Sequence, residues 1–247
     1  MATLTVFTPL YNRINTLKRT YESLKRQTSK DFVWLIIDDG STDNPYEIIK
    51  EWIKINNGFE IKYVYKENGG MHTAHNTAYE NIDTELNVCV DSDDYMPDNA
   101  VQLIIDCWNK NKNKGYAGII ALDFADSTKK VIGKELPTDK ESTTLMGYYN
   151  NGGFGDKKLI YRTDIIKQTP PYPVFDNEKY VALAYKYHLI DEKYELKILN
   201  ECVCIVDYQM DGSSTNMYRQ YVRNPKGFAF WSCLLYTSDA ADDLLCV

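Results

Sequence analysis

Short apolar runs alternate with segments of helical periodicity through the N-terminal part of the chain. Unbroken apolar runs are typical of strands buried on both faces, whereas apolar residues that recur every three or four positions predict amphipathic helices. The runs and periodic segments predict strands at Leu4–Leu10, Phe32–Ile37, Ile61–Tyr65 and Leu86–Val90, and helices at Asn15–Gln27, Tyr46–Ile55, Met71–Asn81 and Asn99–Trp108. This alternation predicts right-handed crossovers and a parallel sheet whose loops converge on one edge.

The pattern is less regular in the second half of the chain. The predictions there are strands at Tyr116–Phe124 and Glu201–Tyr208, a hairpin at Lys129–Gly133, a helix within Val181–His188, and a polar loop at Asp211–Asn216. Because polar loops next to a binding edge often cover a ligand, we expect the last of these to close over substrate.

Three carboxylates, those of Asp91, Asp93 and Asp94, directly follow the fourth predicted strand. Carboxylates packed so closely repel one another unless a cation or a set of donors neutralises them. A hard divalent ion such as Mg²⁺ or Mn²⁺ is suited to this, because it takes oxygen ligands and shares them with substrate phosphates. The alternative for the isolated motif is a solvated acidic turn before a helix.

Composition narrows the possible functions. The chain has 247 residues, enough for a substantial core, and its net charge of −7 argues against a general nucleic-acid-binding protein. Its six cysteines lack the spacing of a disulfide framework, which favours reduced thiols and a cytoplasmic location. We expect neither a signal peptide nor a membrane span, because no apolar run has the required length.

Polar motifs follow each of the four predicted strands. They are Pro9-Leu10-Tyr11-Asn12-Arg13, Asp38-Asp39-Gly40-Ser41-Thr42-Asp43, Asn68-Gly69-Gly70 and Asp91-Ser92-Asp93-Asp94. This succession resembles the family 2 glycosyltransferases. The resemblance implies the GT-A fold, an α/β fold with a Rossmann-like nucleotide-binding half and a mixed central sheet covered by helices on both faces.

The resemblance also implies roles for individual residues in binding a nucleotide-diphosphate sugar. Asp39 is similar to the acid that accepts a hydrogen bond from the base, and Asp94 and Asp91 are similar to the ligands of Mn²⁺ or Mg²⁺. The residues that resemble the donor-binding set are Pro9, Tyr11, Asp38, Asp39, Asn68, Gly69, Gly70, Asp91 and Asp93.

The helix after the third motif departs from the family pattern, since His75 stands where an Arg is often found. A phosphate contact stays open for His75, and a capping or surface role stays open for both His72 and His75. Asn76 is expected either to support the loop or to contact substrate.

The acceptor side is predicted from residues further along the chain. Asp156 and Lys157 resemble acceptor-side residues of family members that build bacterial surface polysaccharides. Inverting transfer needs a base that takes the proton of the acceptor hydroxyl. Glu178 resembles the family's acid here, with Asp176 as the alternative, and we expect it at the N-terminus of the following helix.

The resemblance therefore implies an inverting, metal-dependent enzyme that transfers a sugar, from a UDP-sugar by preference, to a glycan or lipid-linked acceptor. We expect a donor-binding half at 1–110 and an acceptor-binding half at 111–232. Peripheral contact with the inner face of the membrane stays open. The tail at 233–247 resembles the translation of a transposon adaptor, and we expect it to be non-native.

Specific residues exclude some rival functions and leave others open. A calcium loop of the EF-hand type would need a glycine at Met96 and a glutamate at Gln102, and a P-loop motif is absent from the sequence. A sugar-phosphate nucleotidyltransferase would need a Gly-rich basic loop after the first strand. A relative that binds nucleotide sugars without catalysis remains the non-enzyme alternative.

Overall fold

The computed structural model describes residues 2–209 and 216–239. This part of the chain forms an eight-stranded mixed sheet with the strand order β3-β2-β1-β4-β7-β5-β8-β6. The strands are β1 (Leu4–Leu10), β2 (Phe32–Asp39), β3 (Glu60–Lys66), β4 (Leu86–Cys89), β5 (Gly118–Ala125), β6 (Ser142–Thr143), β7 (Lys157–Arg162) and β8 (Leu196–Val206).

Helices cover both faces of the sheet. They are α1 (Ile14–Arg26), α2 (Tyr46–Lys54), α3 (Met71–Asn81), α4 (Ala100–Asn111), α5 (Leu145–Asn150), α6 (Thr163–Gln168), α7 (Ala184–Asp191), α8 (Met217–Arg223) and α9 (Pro225–Asp239). Apolar residues of α1, α2 and α4 pack in one core cluster, and those of α3, α5, α6, α7 and α9 pack in the other. The predicted arrangement with helices on both faces is confirmed.

The first four strands form the parallel half that the sequence predicts. β1 pairs in parallel with β2 on one side and β4 on the other, and β3 pairs with β2 at the edge. All seven residues of β1 are buried, as expected for a strand with neighbours on both sides and helices on both faces. Their carboxyl ends meet at one edge, where an open α/β sheet binds ligands.

The second half of the sheet contains an element that the apolar pattern does not reveal. β7 inserts between β4 and β5 and runs antiparallel to both. One continuous sheet therefore runs through the two predicted halves of the chain.

Several predicted boundaries are wrong. β8 begins at Leu196 instead of Glu201, and the helix expected from Val181 begins only at Ala184. Glu178 therefore lies in a turn, six residues before α7. Residues 210–215, which include most of the predicted substrate-covering loop, lie outside the described residues. None of the described helices has the length and apolarity needed to span a bilayer.

Candidate functional site

The loops after β1 and β2 are tied together at the carboxyl edge of the sheet. The side-chain oxygen of Asn12 accepts the backbone N–H of Thr42 at 2.7 Å, and the Ser41 hydroxyl accepts the backbone N–H of Asn12 at 3.1 Å. Asp43 lies just before α2, but its carboxylate accepts the N–H of Ile14 at 3.0 Å and so supports the start of α1 instead. The first two predicted motifs therefore form one connected surface.

The carboxylate of Asp39 accepts hydrogen bonds from four donors in the segment after β3. Oδ1 accepts from Lys66 Nζ at 2.5 Å and from the Gly69 N–H at 3.0 Å, and Oδ2 accepts from Asn68 Nδ2 at 3.0 Å and from the Gly70 N–H at 2.8 Å. Asp39 thus holds the amides that precede α3, where the helix dipole favours a negative charge. This contact joins the second and third motifs.

Asp38 lies on the opposite face of β2, since neighbouring strand residues point to opposite faces. Its carboxylate accepts the N–H of Ser41 at 2.8 Å and the hydroxyl of Tyr63 at 2.5 Å. Burial, followed by the hydrogen bond to Asp38, raises the pKa of Tyr63. Asp38 therefore supports the turn after β2, away from the Asp39 contacts, and its predicted donor-binding role would be indirect.

Gly70 allows the segment around Glu178 to touch the loop after β3. Its φ of +93° lies in the region that favours glycine, and a Cβ atom there would be 2.1 Å from the carbonyl oxygen of Lys179. The ammonium of Lys179 donates to Asn68 Oδ1 at 2.5 Å. The predicted acceptor-activating segment and the predicted donor loop are therefore in direct contact.

Pro9 and Tyr11 differ in exposure. Pro9 is buried near the end of β1, paired with Ile37, whereas Tyr11 is 50% exposed above the edge. Of these two residues, Tyr11 offers a ring surface to a ligand.

The acidic segment after β4 turns its last carboxylate toward β8. Asp94 Oδ1 accepts the N–H of Asp207 at 3.1 Å, and Oδ2 lies 3.9 Å from the thiol sulfur of Cys204. Burial raises the pKa of Asp94 to about 8, with Lys158 opposing and Asp91 reinforcing the shift. The pKa of Asp93 is also raised, first by burial and then by Asp91. The raised pKa values show that the anionic form of this segment is disfavoured when no cation is bound.

A layer of charged residues on β5 and β7 lies beneath this segment, and the sequence analysis missed it. Lys158 Nζ is 3.7 Å from Asp123 Oδ1, and both side chains are almost fully buried. Burial lowers the pKa of Lys158, but Asp123, Cys204, Asp94 and Asp91 outweigh it and leave the pKa raised. Lys158 pairs with Ala121, and Asp123 lies two residues further along β5, on the same face of that strand. The only sign of this ion pair in the sequence is one charged residue in each strand at a position that faces the interior.

Arg19 is a second missed residue near the acidic segment. Its guanidinium donates to the carbonyl oxygen of Asp93 at 2.5 Å and to the carboxylate of Asp207 at 2.7 Å. It therefore links α1 to the segment after β4 and to the end of β8.

The donor atoms of the acidic segment fit a metal ion that is shared with substrate. Mg²⁺ is typically held by one or two carboxylates and completes its shell with phosphate oxygens and water. Asp91 and Asp94 offer such oxygens, and the raised pKa of Asp94 indicates a position that favours a neutralising cation. Within residues 2–209 and 216–239, no three His, Cys, Asp or Glu side chains form a metal-binding group by themselves.

The two histidines of α3 are buried, so a surface role for them is wrong. His75 packs edge-on against Phe7 and hydrogen-bonds with the hydroxyl of Tyr79 at 3.2 Å, and burial lowers its pKa to about 3. Burial also lowers the pKa of His72 to about 4, and its ring nitrogens have no hydrogen-bond partner among the described residues. A neutral, enclosed His75 is not placed to contact phosphate.

Asn76 supports the structure, one of the two roles expected for it. Its side-chain amide donates to the carbonyl oxygen of Tyr172 and accepts the N–H of the same residue, both at 2.9 Å. The pair of bonds fixes the segment after α6 to α3.

Glu178 is bound to a helix, but not to the one predicted. Its two carboxylate oxygens accept the N–H groups of Lys226 and Gly227 at 3.0 and 2.9 Å, at the start of α9. The residue is 9% exposed, whereas Asp176 is exposed to solvent. Glu178 therefore stabilises the N-terminus of α9, and Asp176 retains a carboxylate accessible from solvent.

The two predicted acceptor residues also differ. The carboxylate of Asp156 accepts the hydroxyl of Tyr208 at 2.5 Å near the surface. The ammonium of Lys157 donates to carbonyl oxygens of the surrounding loops, the closest being those of Ile132 at 2.9 Å and Asp156 at 3.0 Å. Lys157 thus holds two loops together, and its ammonium has no N–H group left to bind the molecule that accepts the sugar.

Comparison with known proteins identifies the family. Residues 5–169 match the model of glycosyl transferase family 2. An uncharacterized glycosyltransferase of Rickettsia conorii is 30% identical over 58% of this chain and 24% of its own length. Glycosyltransferase GlyA of Streptococcus pneumoniae is 35% identical over 41% of the chain and 14% of its own length, and the chondroitin synthase of Pasteurella multocida is 33% identical over 44% and 11%. The chain thus spans a quarter or less of these relatives.

Solved structures agree on the fold. TarS of S. aureus in complex with UDP-GlcNAc superposes with a TM-score of 0.65 at 18% identity, over 86% of this chain and 60% of TarS. The mannosyltransferase PcManGT of Pyrobaculum calidifontis, in complex with GDP-Man and Mn²⁺, gives a TM-score of 0.61 at 16% identity, over 89% of this chain and 61% of its own. The chain therefore belongs to glycosyl transferase family 2 and has the GT-A fold.

Proposed function

We propose that this protein transfers one sugar, with inversion, from a UDP-sugar to a glycan or lipid-linked acceptor in bacterial surface polysaccharide synthesis. One observation carries the proposal. The Asp39 loop, the Asn68–Gly70 loop, the acidic Asp91–Asp94 segment and the Glu178 segment all lie at or next to the carboxyl edge of the parallel strands. TarS in complex with UDP-GlcNAc supports a UDP-sugar as the donor.

The donor's base is proposed to lie at Asp39 and Tyr11. A carboxylate accepts the imide N–H of uracil, and the half-exposed Tyr11 ring offers an aromatic surface at the same edge. Asn68, Gly69 and Gly70 position this carboxylate through their hydrogen bonds to it.

Asp94 and Asp91 are proposed to hold Mn²⁺ or Mg²⁺ together with the donor diphosphate, with Asp93 near the ribose or sugar. The bound ion would neutralise the negative charge that develops on the leaving diphosphate. PcManGT in complex with GDP-Man and Mn²⁺ supports a divalent ion in this fold. Arg19 would hold the backbone of the segment through its hydrogen bond to Asp93, and the positive charge of Lys158 would oppose the negative charge of its carboxylates.

Asp176 is proposed as the base that removes the proton of the acceptor hydroxyl. Glu178 was the first choice from the sequence, but both of its oxygens already accept backbone N–H groups of α9. Glu178 is also buried, so its oxygens are not open to an acceptor hydroxyl, whereas those of Asp176 are exposed. Glu178 is therefore assigned to positioning, and Asp156 with Tyr208 to the acceptor side of the cleft.

The proposal includes a cytoplasmic location, with peripheral membrane contact where the acceptor is lipid-linked. It also includes the division into a donor-binding half at 1–110 and an acceptor-binding half at 111–232. The continuous sheet supports treating these halves as parts of one domain.

Calorimetric titration with UDP, GDP and dTDP, each with and without Mn²⁺, tests the donor site. We expect Mn²⁺-dependent binding of UDP, abolished in Asp94→Asn and retained in Asp106→Asn. Asp106 is a suitable control because it is an exposed acid of α4 whose carboxylate bonds to Gln102. Undiminished Mn²⁺-dependent binding in Asp94→Asn would contradict the metal assignment.

Turnover distinguishes the enzyme from a relative that only binds nucleotide sugars. UDP-sugar hydrolysis or transfer to added acceptors should accompany UDP binding. Binding without turnover over a broad set of acceptors would favour the non-catalytic alternative, and formation of a nucleotide sugar from UTP and a sugar phosphate would favour the nucleotidyltransferase.

A further inference from the structure

Lys66 occupies the carboxylate to which the base is proposed to bind. Its ammonium donates to Asp39 Oδ1 at 2.5 Å, to the carbonyl oxygen of Glu67 at 2.6 Å and to the hydroxyl of Thr73 at 2.8 Å. The Lys66 side chain is 20% exposed, and the Asp39 side chain is 4% exposed. The ion pair therefore lies at the boundary between the site and the solvent.

The carboxylate of Asp39 has no acceptor position left. A carboxylate oxygen takes about two hydrogen bonds, and each oxygen of Asp39 already accepts two. A nucleobase N–H can therefore bind to this carboxylate only when one of the four donors leaves it.

Three of the four donors are held in place by the backbone. The N–H groups of Gly69 and Gly70 lie just before α3, and Gly70 is packed against the carbonyl oxygen of Lys179. The amide of Asn68 donates to the Asp39 carbonyl oxygen as well as to its carboxylate, and its oxygen accepts from Lys179. Moving any of these donors would disturb the start of α3.

Lys66 is the donor that can move. Its long side chain can release Asp39 and keep the bonds to Glu67 and Thr73, so its ammonium stays hydrogen-bonded after release. The Lys66 end of the pair is partly exposed, and exchange of its N–H for a nucleobase N–H keeps the number of hydrogen bonds to Asp39 unchanged.

We propose that Lys66 competes with the nucleobase for Asp39, so that it sets the affinity for bases that carry an imide N–H. This inference rests on the proposed function, because it takes Asp39 as the acceptor for the base. Uracil donates to the carboxylate through N3–H, whereas cytosine carries an acceptor at N3, and its only donor at this edge is the amino group one ring position away. Lys66 would therefore affect UDP and CDP differently.

Titration of Lys66→Met with UDP and with CDP, at fixed Mn²⁺, tests the competition. Removing the ammonium should tighten UDP binding about two- to fivefold, the range that corresponds to a partly exposed ion pair. CDP binding should tighten less than UDP binding. Lys66→Arg keeps the charge and should bind UDP no more tightly than the wild type.

Lys62→Met is the matched control, because it makes the same change on the same strand, four residues earlier. Circular dichroism checks that each variant folds, and Lys66→Gln replaces Lys66→Met if that variant does not fold. UDP affinity in Lys66→Met that is unchanged or weaker overturns the inference, as does equal tightening of UDP and CDP. Absence of UDP binding in the wild type would instead overturn the proposed function.

Discussion

Replacing Glu178 with glutamine separates a structural role of this residue from a chemical one. In the wild type, its two oxygens accept the N–H groups of Lys226 and Gly227. Glutamine has the same shape, but it turns an NH₂ group toward one of these donors. The variant therefore loses one hydrogen bond and the negative charge at the N-terminus of α9.

The expected decrease in the free energy of unfolding follows from these two losses. A hydrogen bond to a charged group contributes about 1.5–3 kcal/mol, and a charge at a helix terminus about 0.3–1 kcal/mol. Partial relaxation of the helix end leaves an expected loss of about 2–3 kcal/mol. Since 1 kcal/mol shifts the Tm of a chain of this size by roughly 2–4 °C, the Tm should fall by roughly 4–12 °C.

Thermal unfolding and sugar transfer are measured on the same preparations, with transfer assayed well below the lower Tm. Glu178→Gln should lose stability and keep transfer, whereas Asp176→Asn should keep its Tm and lose transfer. Glu80→Gln, a change to an exposed residue of α3, is the control for both measurements. Loss of transfer in Glu178→Gln at an unchanged Tm would refute this reasoning and make Glu178 the base.

Two further substitutions test Gly70 and Asn76, and a third tests Lys186, whose ammonium joins α7 to the end of α6. Gly70→Ala places a Cβ atom 2.1 Å from the carbonyl oxygen of Lys179, on a residue whose φ is positive. The affinity for UDP, measured by calorimetry, should therefore fall at least about tenfold. An unchanged affinity would contradict the close packing. Asn76→Ala removes both bonds to the Tyr172 backbone and should lower the free energy of unfolding in urea by about 2 kcal/mol; a loss below about 0.5 kcal/mol would contradict this. Burial lowers the pKa of Lys186 to about 8, below its ordinary 10.5, so folding releases a proton in this window. Stability relative to Lys186→Met should therefore rise by about 2 kcal/mol from pH 8 to 10.5, and a constant difference would refute it.

The sequence predicted the parts of the site that depend on local pattern. Apolar runs identify β1 to β4 because strands buried on both faces are apolar at every position. The motifs at their carboxyl ends then lie at one edge as a consequence of parallel pairing. The opposite directions of Asp38 and Asp39 also follow from the two-residue period of a strand.

The remaining features depend on contacts between distant residues. β7 begins with Lys157 and Lys158, and two charged residues conceal a strand whose neighbours bury them. Glu178 bonds to amides 48 and 49 residues further along the chain, so its own segment gives no sign of the helix that it supports. A catalytic base depends on such distant contacts, whereas the donor edge follows from the local pattern of the strands.

The charges at the edge explain why donor and metal should depend on each other for binding. Lys66 is paired with Asp39 and Arg19 with Asp207. In the acidic segment, burial and the charge of Asp91 raise the pKa of Asp94 to about 8 although Lys158 opposes them. A diphosphate alone would add negative charge to a site where negative charge is already unfavourable. A divalent ion neutralises the negative charge of the diphosphate and that of the acidic segment. The difference between UDP titrations with and without Mn²⁺ therefore measures how far the acidic segment, and not the Asp39 pocket, determines the affinity for UDP.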